Sequence, residues 1–257
     1  MKWGIVMDMR DKRHIEGPET NVAAIVLAGG RGTRMRSDIP KQYLMLSGYP
    51  LLYYALKAFQ ESCVKTIVLV CGKGEITYCR KNIVEKYGFD KVKFIVEGGA
   101  ERYHSVYQGL SCIKDSSYVL IHDGARPFVT GQMISDNLKT AIEKDACVTG
   151  VPSKDTVKIS DGNGCVASTP DRKNVWLIQT PQTFKTSLIL QAYEKLIKQP
   201  AINVTDDAMV AETVLGIPVY FVMGDYRNIK ITTPEDLKIA EVFLEDLKKD
   251  SVKNTSL

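Results

Sequence analysis

The sequence predicts an α/β fold, a mostly parallel twisted sheet with helices on both faces and a projecting β-arm. Three observations carry this expectation. Short β-branched runs alternate with amphipathic stretches of helical period along most of the 257 residues, the pattern of strands joined by crossover helices. A glycine-rich, basic loop, Gly29-Gly30-Arg31-Gly32-Thr33-Arg34, directly follows the first apolar run. Between Pro152 and Trp176 the alternation stops, and β-prone pieces flank Asp161-Gly162-Asn163-Gly164, a tight-turn signal.

The elements follow in order. Ala23–Leu27 is continuously apolar, as suits a strand covered on both faces. Leu51, Leu52, Ala55, Leu56 and Phe59 recur at three- to four-residue spacing and predict a helix over Pro50–Glu61. The same reading gives strands at Thr66–Val70, Lys93–Val96, Tyr118–Ile121, Ala146–Val151 and Pro218–Val222. Further helices are expected at Ile76–Tyr87, Arg102–Ile113, Gln132–Lys144, Thr186–Lys198, Asp206–Leu215 and Pro234–Lys248. The arm, about residues 152–176, pairs Thr156–Ile159 with Cys165–Thr169; a lone two-stranded arm is marginal, so it is expected to pack on a second subunit or close over a substrate. The domain spans 22–248, after an extension at 1–21 expected to be poorly ordered and before a tail at 249–257.

Composition excludes several function classes. Thirty-four basic and 30 acidic residues leave a net charge of +4, too mild and dispersed for a nucleic-acid surface but compatible with anionic small molecules. Six scattered cysteines without a Cys-x-x-Cys pair read as reduced thiols of a cytoplasmic protein. The longest apolar run, Ala23–Ala28, is far short of a membrane span.

Chemistry concentrates in a few segments. Glycines let backbone N–H groups approach phosphate oxygens, and Arg34 and Lys41 add fixed positive charge. A Walker loop would end Gly-Lys-Ser/Thr, and a dinucleotide fingerprint would need glycine where Met35 stands. A second glycine pair, Gly98-Gly99, precedes a helix with Ser105 in its first turn, positioned either to read a base or sugar edge or to cap the helix. Tyr118–Ile121 runs into His122-Asp123-Gly124-Ala125-Arg126-Pro127, at the strand end where open parallel sheets bind ligands. Asp123 is a candidate ligand for Mg2+, and Arg126 either serves the site or pairs with Asp123 to fix the turn.

These segments, with Pro40-Lys41-Gln42-Tyr43, Gly98-Gly99 with Arg102 and Ser105-Val106, Asp155-Thr156, Asp171-Arg172 with Trp176, Gln179-Thr180-Pro181-Gln182, Thr205-Asp206-Asp207-Ala208 and Asn228-Ile229-Lys230-Ile231-Thr232, resemble the 2-C-methyl-D-erythritol 4-phosphate cytidylyltransferase family of the non-mevalonate isoprenoid pathway. The resemblance runs in order from about Val22 to Phe243. It implies a Rossmann-like nucleotidyltransferase fold, CTP and a polyol phosphate as substrates, Mg2+ or another divalent cation, and a homodimer through the arm. It implies catalytic roles for Arg34, Lys41, Arg172 and Lys230. Ala28, Gly29, Gly30, Gly32, Gly99, Ser105, Asp123 and Gly124 would cradle the nucleotide. Asp123, Arg126, Thr156, Arg172, Thr205 and Lys230 would contact the second substrate, with Arg172 reaching the partner's site. The chain has Leu27-Ala28-Gly29-Gly30 where many relatives carry Pro-Ala-Ala-Gly, and Gly124 where alanine is common. Two other readings remain at this point: the same transfer to ribitol 5-phosphate, and a non-catalytic nucleotide-binding protein, which would be expected to lack Arg34, Lys41 or Lys230.

Overall fold

The computed structural model describes residues 21–30, 32, 35, 39–199 and 203–254. Arg34 and the 1–21 extension up to residue 20 therefore lie outside the described residues. Seven strands form one sheet: β1 (Val22–Ala28), β4 (Thr66–Cys71), β5 (Val92–Glu97), β6 (Tyr118–Asp123), β7 (Ala146–Pro152), β10 (Trp176–Lys185) and β11 (Tyr220–Met223), in the order β11-β7-β10-β6-β1-β4-β5. Strand β1 pairs in parallel with β4 on one side and β6 on the other. The chain therefore reverses its direction of travel across the sheet at β1. The carboxyl ends of β1 and β6 flank that switch point, where open sheets leave a crevice.

Helices cover both faces. Ala24 and Val26 join one cluster with Leu52, Leu56 and Phe59 of α1 (Leu51–Gln60) and Met133, Ile134 and Leu138 of α4 (Gly131–Lys144). Ala23 and Ile25 face the other way, toward Val106 and Leu110 of α3 (Arg102–Ser111), Ile189 and Tyr193 of α5 (Thr186–Ile197) and Val210 of α6 (Asp207–Leu215). Each fully buried aliphatic side chain of this kind stabilises the fold by roughly 1.5–3 kcal/mol, which is why β1 carries no polar residue. Helix α7 (Pro234–Asn254) packs Ala240 and Leu244 on Leu46, Leu51 and Phe128, and it runs beyond the expected end at Lys248 into the expected tail. Among the described residues, no helix is long and apolar enough to cross a membrane.

Helix ends follow local chemistry. The Thr130 hydroxyl accepts from Met133 N at 3.2 Å, and Asp206 Oδ1 accepts from Met209 N at 2.9 Å, capping α4 and α6. The segment expected as one helix over Ile76–Tyr87 is α2 (Ile76–Cys79) followed by a π-helical stretch at Arg80–Glu85. A small hairpin, β2 (Met45–Leu46) with β3 (Tyr49–Pro50), turns through Ser47 and Gly48 at positive φ.

Two departures concern the second half of the chain. Strand β10 was not expected: its middle, Gln179-Thr180-Pro181-Gln182, reads as a break because proline cannot donate to a ladder. The structure puts Pro181 in the irregularity between Ile178 and Gln182, after a cis Thr180–Pro181 bond, where no ladder donor is required. The strand then pairs antiparallel with both β6 and β7. The arm is present but shorter-stranded than expected, β8 (Ile159–Ser160) with β9 (Val166–Ser168). Asp161 Oδ1 accepts from Asn163 N and Cys165 N, fixing its turn, and Ile159 and Val166 are exposed.

Candidate active site

At the switch point lies a cleft of about 690 Å³, lined by the loop after β1, the ends of β4 and β6, the β5–α3 loop, and the side chains of Lys41 and Lys230. This volume is in the range of small-molecule sites. Of the expected nucleotide positions, Ala28, Gly29, Gly30, Gly99, Ser105 and Asp123 line it. Gly98 and Gly99 press on the first turn of α3: a Cβ on Gly98 would stand 2.6 Å from Ser105 Oγ. That hydroxyl accepts from Gly99 N at 3.1 Å and donates to Glu101 O at 3.3 Å, so Ser105 fixes the loop as well as facing the cleft. Gly32 has φ +59°, and a Cβ there would collide with the Lys41 stem at 3.0 Å. Its value is in laying the lysine across the loop. Gly124 departs from expectation: it is not a lining residue but is buried against β1, where a Cβ would meet Leu27 O and Leu52 Cδ1 at 2.9 Å.

The charged groups form a chain. Lys230 Nζ is 2.8 Å from Asp123 Oδ2, and Arg102 Nε is 3.5 Å from Asp123 Oδ1. The other end of Arg102 makes a bidentate pair with Asp207, at 2.9 and 2.7 Å. Asp207 is fully buried and also accepts from the Tyr193 hydroxyl at 2.5 Å, while its backbone N donates to Gln182 Oε1 at 3.0 Å. Burial alone would raise the Asp123 pKa, but Arg102 first and then Lys230 outweigh it and hold the carboxyl well below the usual range. Asp123 is therefore an anion at neutral pH. Lys41 Nζ donates to Ile231 O at 3.3 Å, and Ile231 N to Ala125 O at 2.8 Å, which fastens the segment bearing Lys230 beside the β6 turn.

His122 supports this turn from beneath. Asp123 N donates to Thr180 Oγ1 at 3.1 Å, so the hydroxyl proton is free to go to His122 Nδ1 at 3.0 Å. The ring then carries its proton on Nε2, which donates to Arg126 O at 3.1 Å. Burial lowers the His122 pKa to about 4. Folded protein then binds fewer protons than unfolded protein between pH 4 and 6.5, so stability rises with pH across that window and falls as the medium is acidified through it. We expect a loss of about 3 kcal/mol between pH 7 and pH 4 from this residue. Urea unfolding at both pH values should show it, and His122→Gln should flatten the difference.

Arg126 does not make the expected ion pair with Asp123. Its guanidinium donates to Asn228 O at 2.7 Å and to Ile178 O at 3.4 Å, because the turn points its side chain along β10 toward the 225–228 loop. Asn228 Nδ2 in turn donates to Thr180 O at 2.9 Å. Thr156 and Arg172 lie exposed on and beside the arm, outside the set of cleft-lining residues, and Arg172 Nη1 donates to Lys154 O at 3.1 Å. Thr205 is exposed before α6, its hydroxyl 3.6 Å from Met209 Sδ. Arg102, Asp207 and Gln182 were quoted above as parts of motifs without a role; their partnership brings together residues up to 105 positions apart, which no local pattern marks.

Among the described residues no three His, Cys, Asp or Glu side chains converge for an ion, and both Asp123 oxygens face cations. The expected role of Asp123 as a metal ligand therefore lacks companion side chains among the described residues.

The sequence model of the family described as 2-C-methyl-D-erythritol 4-phosphate cytidylyltransferase matches residues 22–246. A protein of that name from Lachnoclostridium phytofermentans is 52% identical over 225 residues, covering 88% of this chain and 97% of the relative. Another from Alkaliphilus oremlandii is 48% identical over 229 residues, covering 88% and 96%. The crystal structure of 4-diphosphocytidyl-2C-methyl-D-erythritol synthase from Anaerococcus prevotii superposes with a TM-score of 0.79 at 35% identity, covering 88% of this chain and 97% of that one. The crystal structure of 2-C-methyl-D-erythritol 4-phosphate cytidylyltransferase from Thermus thermophilus superposes at 0.70 with 29% identity, covering 86% and 98%. A family match over residues 22–246 and relatives about half identical over nearly their whole length show that the chain belongs to the 2-C-methyl-D-erythritol 4-phosphate cytidylyltransferase family.

Proposed function

We infer that this protein transfers the cytidylyl group of CTP to the phosphate of 2-C-methyl-D-erythritol 4-phosphate, giving 4-diphosphocytidyl-2-C-methyl-D-erythritol and pyrophosphate. An oxygen of the substrate phosphate attacks the α-phosphorus; that P–O bond forms as the bond to the β-phosphate bridge breaks. A phosphate monoester is largely dianionic at neutral pH, so the nucleophile needs no protein base. The neutral, buried His122 is consistent with that. What remains for the protein is positioning and charge stabilisation.

The observation that carries this reading is the meeting of Lys41 and Lys230 at one glycine-lined cleft. Lys41, with Arg34, serves the triphosphate; Lys230 receives the incoming phosphate. Ala28, Gly29, Gly30 and Gly99 offer backbone to the nucleotide, Gly32 and Gly124 shape the loops behind them, and Ser105 faces the nucleoside end. Thr156 and Arg172, which do not line their own cleft, complete the partner's site in a homodimer joined through the arm, with Arg126 and Thr205 near the second substrate. Mg2+ or another divalent cation would offset the negative charge of the triphosphate, and Asp123, a carboxylate lining the cleft, is the residue that would meet it there.

Pyrophosphate release tests this. With CTP and Mg2+, methylerythritol 4-phosphate is expected to support turnover and ribitol 5-phosphate is not; excess EDTA should abolish release and added Mg2+ restore it. Turnover with ribitol 5-phosphate alone would overturn the substrate, and silence with both would favour a non-catalytic nucleotide-binding protein.

A further inference from the structure

We infer that Arg102 is a positioning residue that takes over the charge of Asp123 and so frees Lys230 to bind the substrate phosphate; this rests on the phosphate-binding role of Lys230 proposed above. Two cations share the Asp123 carboxylate, and they differ in freedom. Lys230 is a point charge on a flexible stem with a 39% exposed side chain. It can swing to an arriving phosphate. Arg102 cannot leave, because both terminal nitrogens are committed to the fully buried Asp207, which is itself held by Tyr193 and by Gln182. That fork aims the remaining donor, Nε, at Asp123 Oδ1 from 3.5 Å, long enough for the contact to tighten once Lys230 departs.

Without such a fixed cation, a carboxylate whose side chain is 11% exposed would lose its close ion-pair partner among the described residues when Lys230 moved. The buried anion would then hold Lys230 back and weaken phosphate binding. Asp207 has no contact with the cleft, so its part is to orient Arg102. Lysine at position 102 would keep the charge but lose the three-donor geometry that serves two carboxylates at once.

The test uses the full chain with Arg102→Gln, Arg102→Lys, and the double variant Arg102→Gln/Asp207→Asn, which removes the buried charge that Arg102→Gln alone would strand. Thermal unfolding and calorimetric CTP binding are measured beside steady-state pyrophosphate release. The expected result is a double variant that unfolds near the wild-type temperature and binds CTP within about 3-fold. Its KM for the polyol phosphate should rise at least about 10-fold. In that background Lys230→Ala should cost under about 10-fold more, whereas in wild type it costs far more, because Lys230 is already held on Asp123. Arg102→Lys should recover less than half of the loss. Wild-type kinetics in the double variant, losses that simply multiply with Lys230→Ala, or failure of both the double and the lysine variants to fold would overturn the inference and leave Arg102 as a structural partner of Asp207. Inactivity of the wild-type protein would instead sink the functional reading itself.

Discussion

Lys230→Ala is expected to lower kcat/KM for the polyol phosphate by about 10²- to 10³-fold, the scale seen when one preorganised charge donor is removed from a site of developing negative charge. The ammonium is 2.8 Å from Asp123, and Lys230 lines the cleft. Its removal acts twice, withdrawing the cation that receives the phosphate and leaving Asp123 with Arg102 as its close ion-pair partner among the described residues. The fold should survive, because Lys230 is half-exposed and Asp123 keeps that partner. Steady-state pyrophosphate release together with a thermal melt separates these effects. A variant that melts normally yet keeps more than about a tenth of wild-type kcat/KM would remove Lys230 from the mechanism.

Arg172→Ala is expected to be equally damaging, and co-expression with Lys230→Ala subunits should restore activity. If the arm completes the partner's site, a mixed dimer has one site with both defects and one with neither. Random assembly then yields about a quarter of the wild-type number of sites. The geometry behind this is the exposure of Arg172, its bond to the carbonyl of Lys154 within the arm, and its absence from the cleft lined by Lys230. Differently tagged subunits purified in tandem give the mixed dimer directly. A mixed species no more active than either parent would mean that Arg172 serves its own subunit or none.

The order of strands and helices was largely legible because it rests on patterns a few residues long. Leu51, Leu52, Ala55, Leu56 and Phe59 announce α1 by spacing, and all five are buried. Asp161-Gly162-Asn163-Gly164 announces the arm turn, and both glycines adopt positive φ there. Strand β10 was hidden by Pro181, since a proline in mid-segment argues for a break until the neighbouring strands reveal an irregularity that needs no donor.

The site divides along the same line. The glycine loops, Lys41 and Asp123 were readable as residue types suited to phosphate chemistry, whereas Lys230 was singled out only by the resemblance. It did not sort the glycines: Gly124 supports packing against Leu27, while Gly99 faces the cleft. Nor did any local feature join Arg102 to Asp207, 105 positions away. The sequence by itself determined the alternation of elements, the turn chemistry and the inventory of charges, because backbone propensity and amphipathic period act between near neighbours. Only the tertiary structure decided which charges meet, because ion pairing falls off over a few ångströms, and it is the crossing of the sheet at β1 that brings the end of β6, the first turn of α3 and the start of α6 within that range.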